Sequence, residues 1–252
     1  YSLSNGGTFS DGEIVDINND GFLDLILIPN LNATIGEQVW FYLFLGEKNL
    51  FLNTPFTIEE SLLGLTTIRP SNLSLIPGEN SKLAVSFGSP VRQGMIFDIS
   101  IENNSASIIN PQLLSAPLIS NGYGAVYIGG FKSNGGHYIA LLSPQGNQLN
   151  IAIFDIADSF SLLKSETINI NDARYLLGSQ VQPAYSKIDF EGGLLVPFGS
   201  DDTFLLSVVE GDAILSNTNL SGLGAFSQNE KQSIMAILDL RESAEILEKE
   251  LL

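Results

Sequence analysis

The sequence predicts an all-β fold built from repeated four-stranded units, and three observations carry that reading. Apolar segments recur along the 252 residues: "LDLILIP" (23–29), "LAVSFGS" (83–89), "YIALLSP" (138–144) and "LLVPFGS" (194–200). The second and fourth lie 111 positions apart, two periods of about 55, as a repeat architecture requires. Each segment is flanked by further strand-like runs, giving about four strands per unit. The composition, 44% hydrophobic and 15% charged, excludes disorder and allows a sizeable core. Four strands per repeated unit is the make-up of a propeller blade.

The first unit, about 10–58, holds "EIVDI", "LDLILIP" and "VWFYLFLG". The second, about 68–115, holds "NLSLIP", "LAVSFGS", "GMIFDIS" and the weaker "SASIINP". The third, about 120–170, runs through "GAVYIGG", "YIALLSP", "LNIAIFDIA" and "ETINI", and the fourth, about 180–220, through "AYSKIDF", "LLVPFGS" and "TFLLSVVEG". The second strand of each unit is apolar without alternation, because inner blade strands are covered on both faces by neighbouring blades. A partial fifth unit follows at 221–239, with "GLGAFSQ" and "QSIMAILDL". Over 240–252 the pattern turns helical: Leu240, Ala244, Leu247 and Leu251 share a face, and Asp239 with Glu242 fits a capping box. Four to five blades result, either closed into a ring with N-terminal residues such as "GGTFS" or forming part of a larger propeller.

The stretch "DINNDGFLD" (16–24) carries the clearest chemistry. Asp16, Asn18, Asp20 and Asp24 occupy positions 1, 3, 5 and 9 of a loop, with Gly21 at the sharp turn and Phe22 offering its carbonyl at position 7. That is the oxygen spacing a Ca²⁺ ion requires. Position 12 is Leu27, not Glu, and both flanks read as strands, so an EF-hand is excluded.

A strand, a calcium loop closed at position 9 and a second strand resembles the FG-GAP or VCBS repeat of integrin-like and bacterial secreted propellers. The resemblance covers about a dozen residues at one place. It implies a propeller with a structural Ca²⁺ held by Asp16, Asn18, Asp20, Phe22 and Asp24. Unlike the family's usual pattern, the other units do not repeat the loop: the second keeps only Glu79 and Asn80, the third has Lys132 and no acid, and the fourth has Asp189 and Glu191 in a short loop. A single calcium loop grafted on another β fold, such as a sandwich, is the alternative.

With 28 acidic against 11 basic residues, the formal net charge is −17, which argues against nucleic-acid partners and against anionic membranes. There is no cysteine, so disulfides and thiolate metal sites are excluded. No apolar run reaches the roughly 18 residues of a membrane helix. The chain starts at Tyr1 without a leader pattern, so any signal peptide or lipid anchor is expected to have been removed. A calcium loop of the extracellular kind fills only outside the cytosol, so a secreted, cell-surface or periplasmic location is expected.

His137 is the only histidine, which excludes a three-histidine zinc site and leaves at most one residue on which to build a triad. Beside Gly135 and Gly136 it reads as a turn or surface residue. The glycines of "GYGAVYIGG" mark strand bends rather than a dinucleotide loop, since no helix pattern follows. Asp201 and Asp202 are the candidate carboxylate pair for glycoside chemistry, although "GSDDT" also reads as a solvated turn. Trp40, Tyr42 and Phe44 alternate along one strand near Phe51, as inter-blade packing or a sugar platform. The expected function is an exported, non-catalytic binding or adhesion module for a protein or glycan ligand, with the rest of a larger chain as a further candidate partner. The alternatives are the scaffold of a carbohydrate-active enzyme and an architectural domain of a surface protein.

Overall fold

The computed structural model describes residues 8–30, 39–48, 50–51, 56–59, 70–77, 82–103, 105–123, 125–170, 182–184, 193–197 and 203–217. These residues form four four-stranded antiparallel sheets. The first contains β1 (Thr8–Val15), β2 (Asp24–Asn30), β3 (Val39–Phe44) and, after a small hairpin of β4 (Gly46–Glu47) and β5 (Leu50–Phe51), β6 (Phe56–Glu59). The second contains β7 (Pro70–Leu75), β8 (Lys82–Phe87), β9 (Gln93–Glu102) and β10 (Ser105–Leu114). A short turn of helix, α1 (Pro117–Ser120), leads to the third, made of β11 (Tyr127–Ser133), β12 (Gly136–Gln145), β13 (Gln148–Asp155) and β14 (Ser161–Asn169). The fourth contains β15 (Gln182–Ala184), β16 (Gly193–Pro197), β17 (Thr203–Val209) and β18 (Asp212–Asn217).

In each sheet the strands follow chain order, and the first strand lies beside the first strand of the next sheet: β1 by β7, β7 by β11, and β11 by β15. Successive sheets radiating from adjacent inner strands are the blades of a β-propeller. The sandwich alternative is thereby set aside.

Three separate cores fill the three interfaces between the described blades. Ile26, Ile28, Phe41 and Leu43 of the first blade meet Leu83, Val85, Phe87, Met95 and Phe97 of the second. Ala84, Ile96 and Leu114 on the opposite face of that second blade meet Ile128, Ile139, Leu141 and Phe154 of the third. Ala140, Leu142, Ile151 and Ile153 meet Leu194, Val196, Leu206 and Val208 of the fourth. Thus β8 sends Leu83, Val85 and Phe87 one way and Ala84 the other, which is the period of a strand with two apolar environments. This double burial removes the polar/apolar alternation from the middle strands, as the sequence led one to expect.

The details differ in places. "EIVDI" reads as a strand through Ile17, but β1 ends at Val15 and begins at Thr8, in "TFS". Thr8 pairs with Asn30, so these N-terminal residues open the first blade. A register shift between Phe9 and Asp11 accommodates the irregular start. Trp40 and Phe41 are both buried although adjacent, because the β3–β6 register shifts between Val39 and Phe41. The partial fifth unit at 221–239 and the helix at 240–252 lie outside the described residues. Among the described residues, no helix is long and apolar enough to cross a membrane.

Candidate functional site

The β1–β2 connection sits at one end of the first blade and gathers Asp16, Asn18, Asp20, Phe22 and Asp24 in one loop. Asp16 folds back over the loop: its two carboxylate oxygens accept the N–H groups of Asp20 at 3.0 Å and Gly21 at 2.9 Å. Asn18 Oδ1 accepts the Asp20 N–H at 3.1 Å, while its Nδ2 donates to Asp20 Oδ2 at 2.9 Å. The Phe22 N–H donates to Asp20 Oδ1 at 2.8 Å. The chain turns at Gly21, whose φ of +87° lies in the region that favours glycine. Phe22 itself is exposed.

Asp24 differs from the other three, being fully buried at 0% exposure. Its Oδ2 accepts the Ile17 N–H at 2.9 Å and its Oδ1 the Gly46 N–H at 2.8 Å. Burial pushes its carboxyl above the ordinary carboxylate range, the Gly46 and Ile17 N–H groups pull it back, and the charges of Asp20 and Asp16 push it up again. Gly46 is required at this contact, since a Cβ there would stand 2.1 Å from the Leu23 carbonyl oxygen and 3.2 Å from Phe22 Cβ.

The donor set is all oxygen, the chemistry of a hard cation site, and each carboxylate oxygen that accepts one N–H keeps a second lone pair. Among the described residues, no three His, Cys, Asp or Glu side chains converge as a preformed metal cage. The loop oxygens are instead engaged by the loop's own N–H groups and by that of Gly46.

The other end of the propeller has different chemistry between the second and third blades. The β8–β9 turn, the connection carrying α1 and the β12–β13 turn come together there through Arg92. Arg92 is 4% exposed. Its Nε donates to the Ile119 carbonyl at 3.0 Å and its Nη2 to Ser143 Oγ at 2.7 Å. Burial holds it below its ordinary pKa. Asn150 Nδ2 adds a bond to the Leu118 carbonyl at 3.2 Å. On this pinned connection Tyr123 is 80% exposed and Leu118 is 37% exposed.

The remaining sequence candidates fall out as follows. His137 lies at the start of β12, pairs across with Lys132, and its carbonyl accepts the Ile156 N–H at 3.1 Å. Gly130 of "GYGAVYIGG" is a close-approach residue rather than a bend: a Cβ there would stand 2.2 Å from the Leu75 carbonyl oxygen. Trp40 packs against Phe87 of the next blade, with ring centroids 5.2 Å apart, so it belongs to the inter-blade core. Tyr42 meets Phe9 edge-on at 6.3 Å. Asp201 and Asp202 lie outside the described residues, as does the Phe51 side chain. Sequence reasoning singled out neither Gly46, Arg92 nor Tyr123; the only signals were a glycine closing "FLG", a basic residue in an apolar turn, and an aromatic between two glycines.

No family model and no curated protein matches the sequence. Among solved structures, that of the Dos1 propeller is similar, with a TM-score of 0.49 and 14% identity over 86% of this chain and 50% of that one. The chain therefore spans half the length of that structural neighbour.

Proposed function

We propose that the chain is a non-catalytic binding module of an exported, FG-GAP-like propeller, with one structural Ca²⁺ in the Asp16–Asp24 loop. The observation that carries the binding role is Tyr123, an aromatic side chain 80% exposed on a connection whose backbone is fixed from two sides by Arg92 and Asn150. A ligand-contacting residue displayed by a rigid scaffold is how propellers and other β folds bind without reactive groups. The two described carboxyls pushed upward by burial, Asp11 and Asp24, both serve as acceptors for backbone N–H groups.

For the metal, Asp16, Asn18, Asp20, Asp24 and the Phe22 carbonyl would be the ligands. Bound Ca²⁺ would supply positive charge among three carboxylates, relieving the repulsion that Asp16 and Asp20 exert on Asp24. The Asn18–Asp20 side-chain bond would give way so that both oxygens could turn inward. Such loops fill at extracellular calcium levels, which is the basis for placing the protein outside the cytosol.

The test is a screen of the purified chain against a glycan array, a panel of extracellular proteins and a set of chromogenic glycosides. Saturable binding without turnover is expected. Turnover abolished by Asp201→Asn or Asp202→Asn would replace this reading with that of a glycoside-cleaving enzyme.

A further inference from the structure

We propose that the apolar faces which the first and fourth blades turn away from their described neighbours are docking surfaces for residues 221–240 of the same chain, which pack between them as a fifth blade and close the ring. Register sets the first of these faces. In β2, Ile26 and Ile28 enter the core shared with the second blade, so Leu25 and Leu27 point the other way. Ile14 pairs with Leu25 and Leu27 with Tyr42, which places all four on one side of the sheet. Phe9 joins them through its edge-on contact with Tyr42. None of the five belongs to any of the three inter-blade cores, and Ile14 is exposed.

The fourth blade repeats the arrangement at the other end of the series. Leu206 and Val208 of β17 enter the core shared with the third blade, so Leu205, Ser207 and Val209 point away from it, and Ile214 pairs with Ser207 on that side. Val209 and Ile214 are exposed. The second and third blades, with a neighbour on each side, bury apolar residues on both faces. Among the described residues, the two ends of the series are where apolar sheet faces stand outside these cores, and a contiguous apolar face is a surface that calls for a cover.

The chain supplies a cover whose pattern fits two such faces. The stretch "QSIMAILDL" (232–240) follows the fourth blade and carries Ile234, Ala236 and Leu238 on one parity and Met235 and Ile237 on the other. The same doubling in β8 and β12 goes with a blade on each side. A single neighbour would cover half of such a strand. The fourth blade offers one neighbour, and the face of Ile14, Leu25, Leu27 and Tyr42 offers the other. Just before it, "GLGAFSQ" (222–228) stands where an inner strand stands in each described blade. The short connection from β18 keeps the segment at high effective concentration beside the fourth blade, an advantage that a separate protein or a second copy lacks. The closing seam then runs past Ile14 and Leu25, which pair at the foot of the Asp16–Asp24 loop.

The chain has no cysteine, so thiols introduced in pairs are the only ones present. Ile14→Cys and Ser207→Cys are each combined, in the full chain, with Met235→Cys and with Ala236→Cys, and treated with a bismaleimide whose reach matches the roughly 10 Å between packed sheets. Mass spectrometry of the monomer should show position 14 linked to one of the two segment positions and position 207 to the other, because adjacent strand residues face opposite ways. In the wild type, hydrogen exchange should protect the amides of 234–238 as it protects those of 83–87, and the unfolding midpoint should not change with protein concentration. Position 14 linking to neither segment position while position 207 links leaves an open arc and overturns the closed ring. Links found between chains alone, with a midpoint that rises with concentration, overturn it in favour of a second copy. Should a cysteine variant fail to fold, the wild-type exchange decides: amides of 234–238 exchanging at the rate of an unfolded chain refute the fifth blade.

Discussion

Asp24 Oδ1 accepts the backbone N–H of Gly46 at 2.8 Å, which ties the last residue of the β1–β2 loop to the β4–β5 hairpin 22 positions further along the chain. The bond orients one oxygen of the deepest carboxylate, while Ile17 orients the other. A side chain at 46 would drive the hairpin off the Leu23 carbonyl and leave Asp24 buried with one acceptor site empty. Gly46→Ala is therefore expected to cost about 2–4 kcal/mol, from overpacking plus the lost bond. Gly88→Ala, where nothing stands within 4 Å of the new Cβ, should stay within about 0.5 kcal/mol. Urea denaturation midpoints of the two variants decide the matter, and equal midpoints would refute it.

Calcium is expected to raise the melting temperature, and EDTA to lower it. At one to ten times the dissociation constant, one site stabilises by roughly 0.4–1.4 kcal/mol. Mg²⁺ should substitute poorly, because it demands a smaller octahedral shell. Asp20→Ala should abolish the calcium response while the protein still folds, since Asp20 is exposed and the first blade is held by Ile26, Ile28, Phe41 and Leu43. Scanning calorimetry with and without Ca²⁺ checks both halves.

The blade pattern was legible because it rests on burial: a middle strand covered on both sides loses its polar/apolar alternation, and in Lys82–Phe87 every residue from Leu83 on is buried, with Ser86 the one polar member. The loop was legible because its residues are consecutive. What the sequence hid were relations between distant residues: Asp24 with Gly46, Arg92 with Ile119 and Ser143. A glycine required by close approach looks like any other glycine until the neighbouring carbonyl is in place. The start of β1 was missed for another reason, because "TFSDG" has turn composition and is held as a strand only by pairing with β2.

Asp11 gives a pH dependence with a definite sign. Its Oδ2 accepts from the Leu73 N–H at 2.9 Å and from Asn72 Nδ2 at 3.2 Å, across the seam between β1 and β7. Burial raises its pKa more than these bonds and the Gly12 N–H lower it. The folded state thus holds the proton more tightly than the unfolded chain, so this group's contribution to stability falls as pH rises from the ordinary carboxylate value through the raised one. Acidifying towards the ordinary carboxylate range should favour the folded state through this group, and Asp11→Asn should remove that contribution. Denaturation free energies at several pH values from the ordinary carboxylate range, about 4, up to neutrality, in wild type and variant, would contradict this if the slopes matched.

The seam between the second and third blades has its own latch, and it separates two kinds of damage. Ser74 Oγ accepts the Gly130 N–H at 2.9 Å, and both residues lie on inner strands. Ser74→Ala leaves the backbone where it is and strips a buried N–H of its acceptor, an expected loss of about 1–3 kcal/mol. Gly130→Ala acts on position instead: its Cβ would stand 2.2 Å from the Leu75 carbonyl oxygen and 2.7 Å from Pro77 Cδ, so β11 must move away from β7. That movement breaks the Ser74 bond and opens the core of Ile76, Ala84, Ile128 and Ile139, so the cost should reach about 3 kcal/mol or more. Because the glycine variant already forfeits the serine's bond, the double variant should be little worse than Gly130→Ala alone, a non-additivity that a double-mutant cycle measures directly. Additive losses would show that the inner strands yield without losing the latch, and that the seam is held by its apolar core alone.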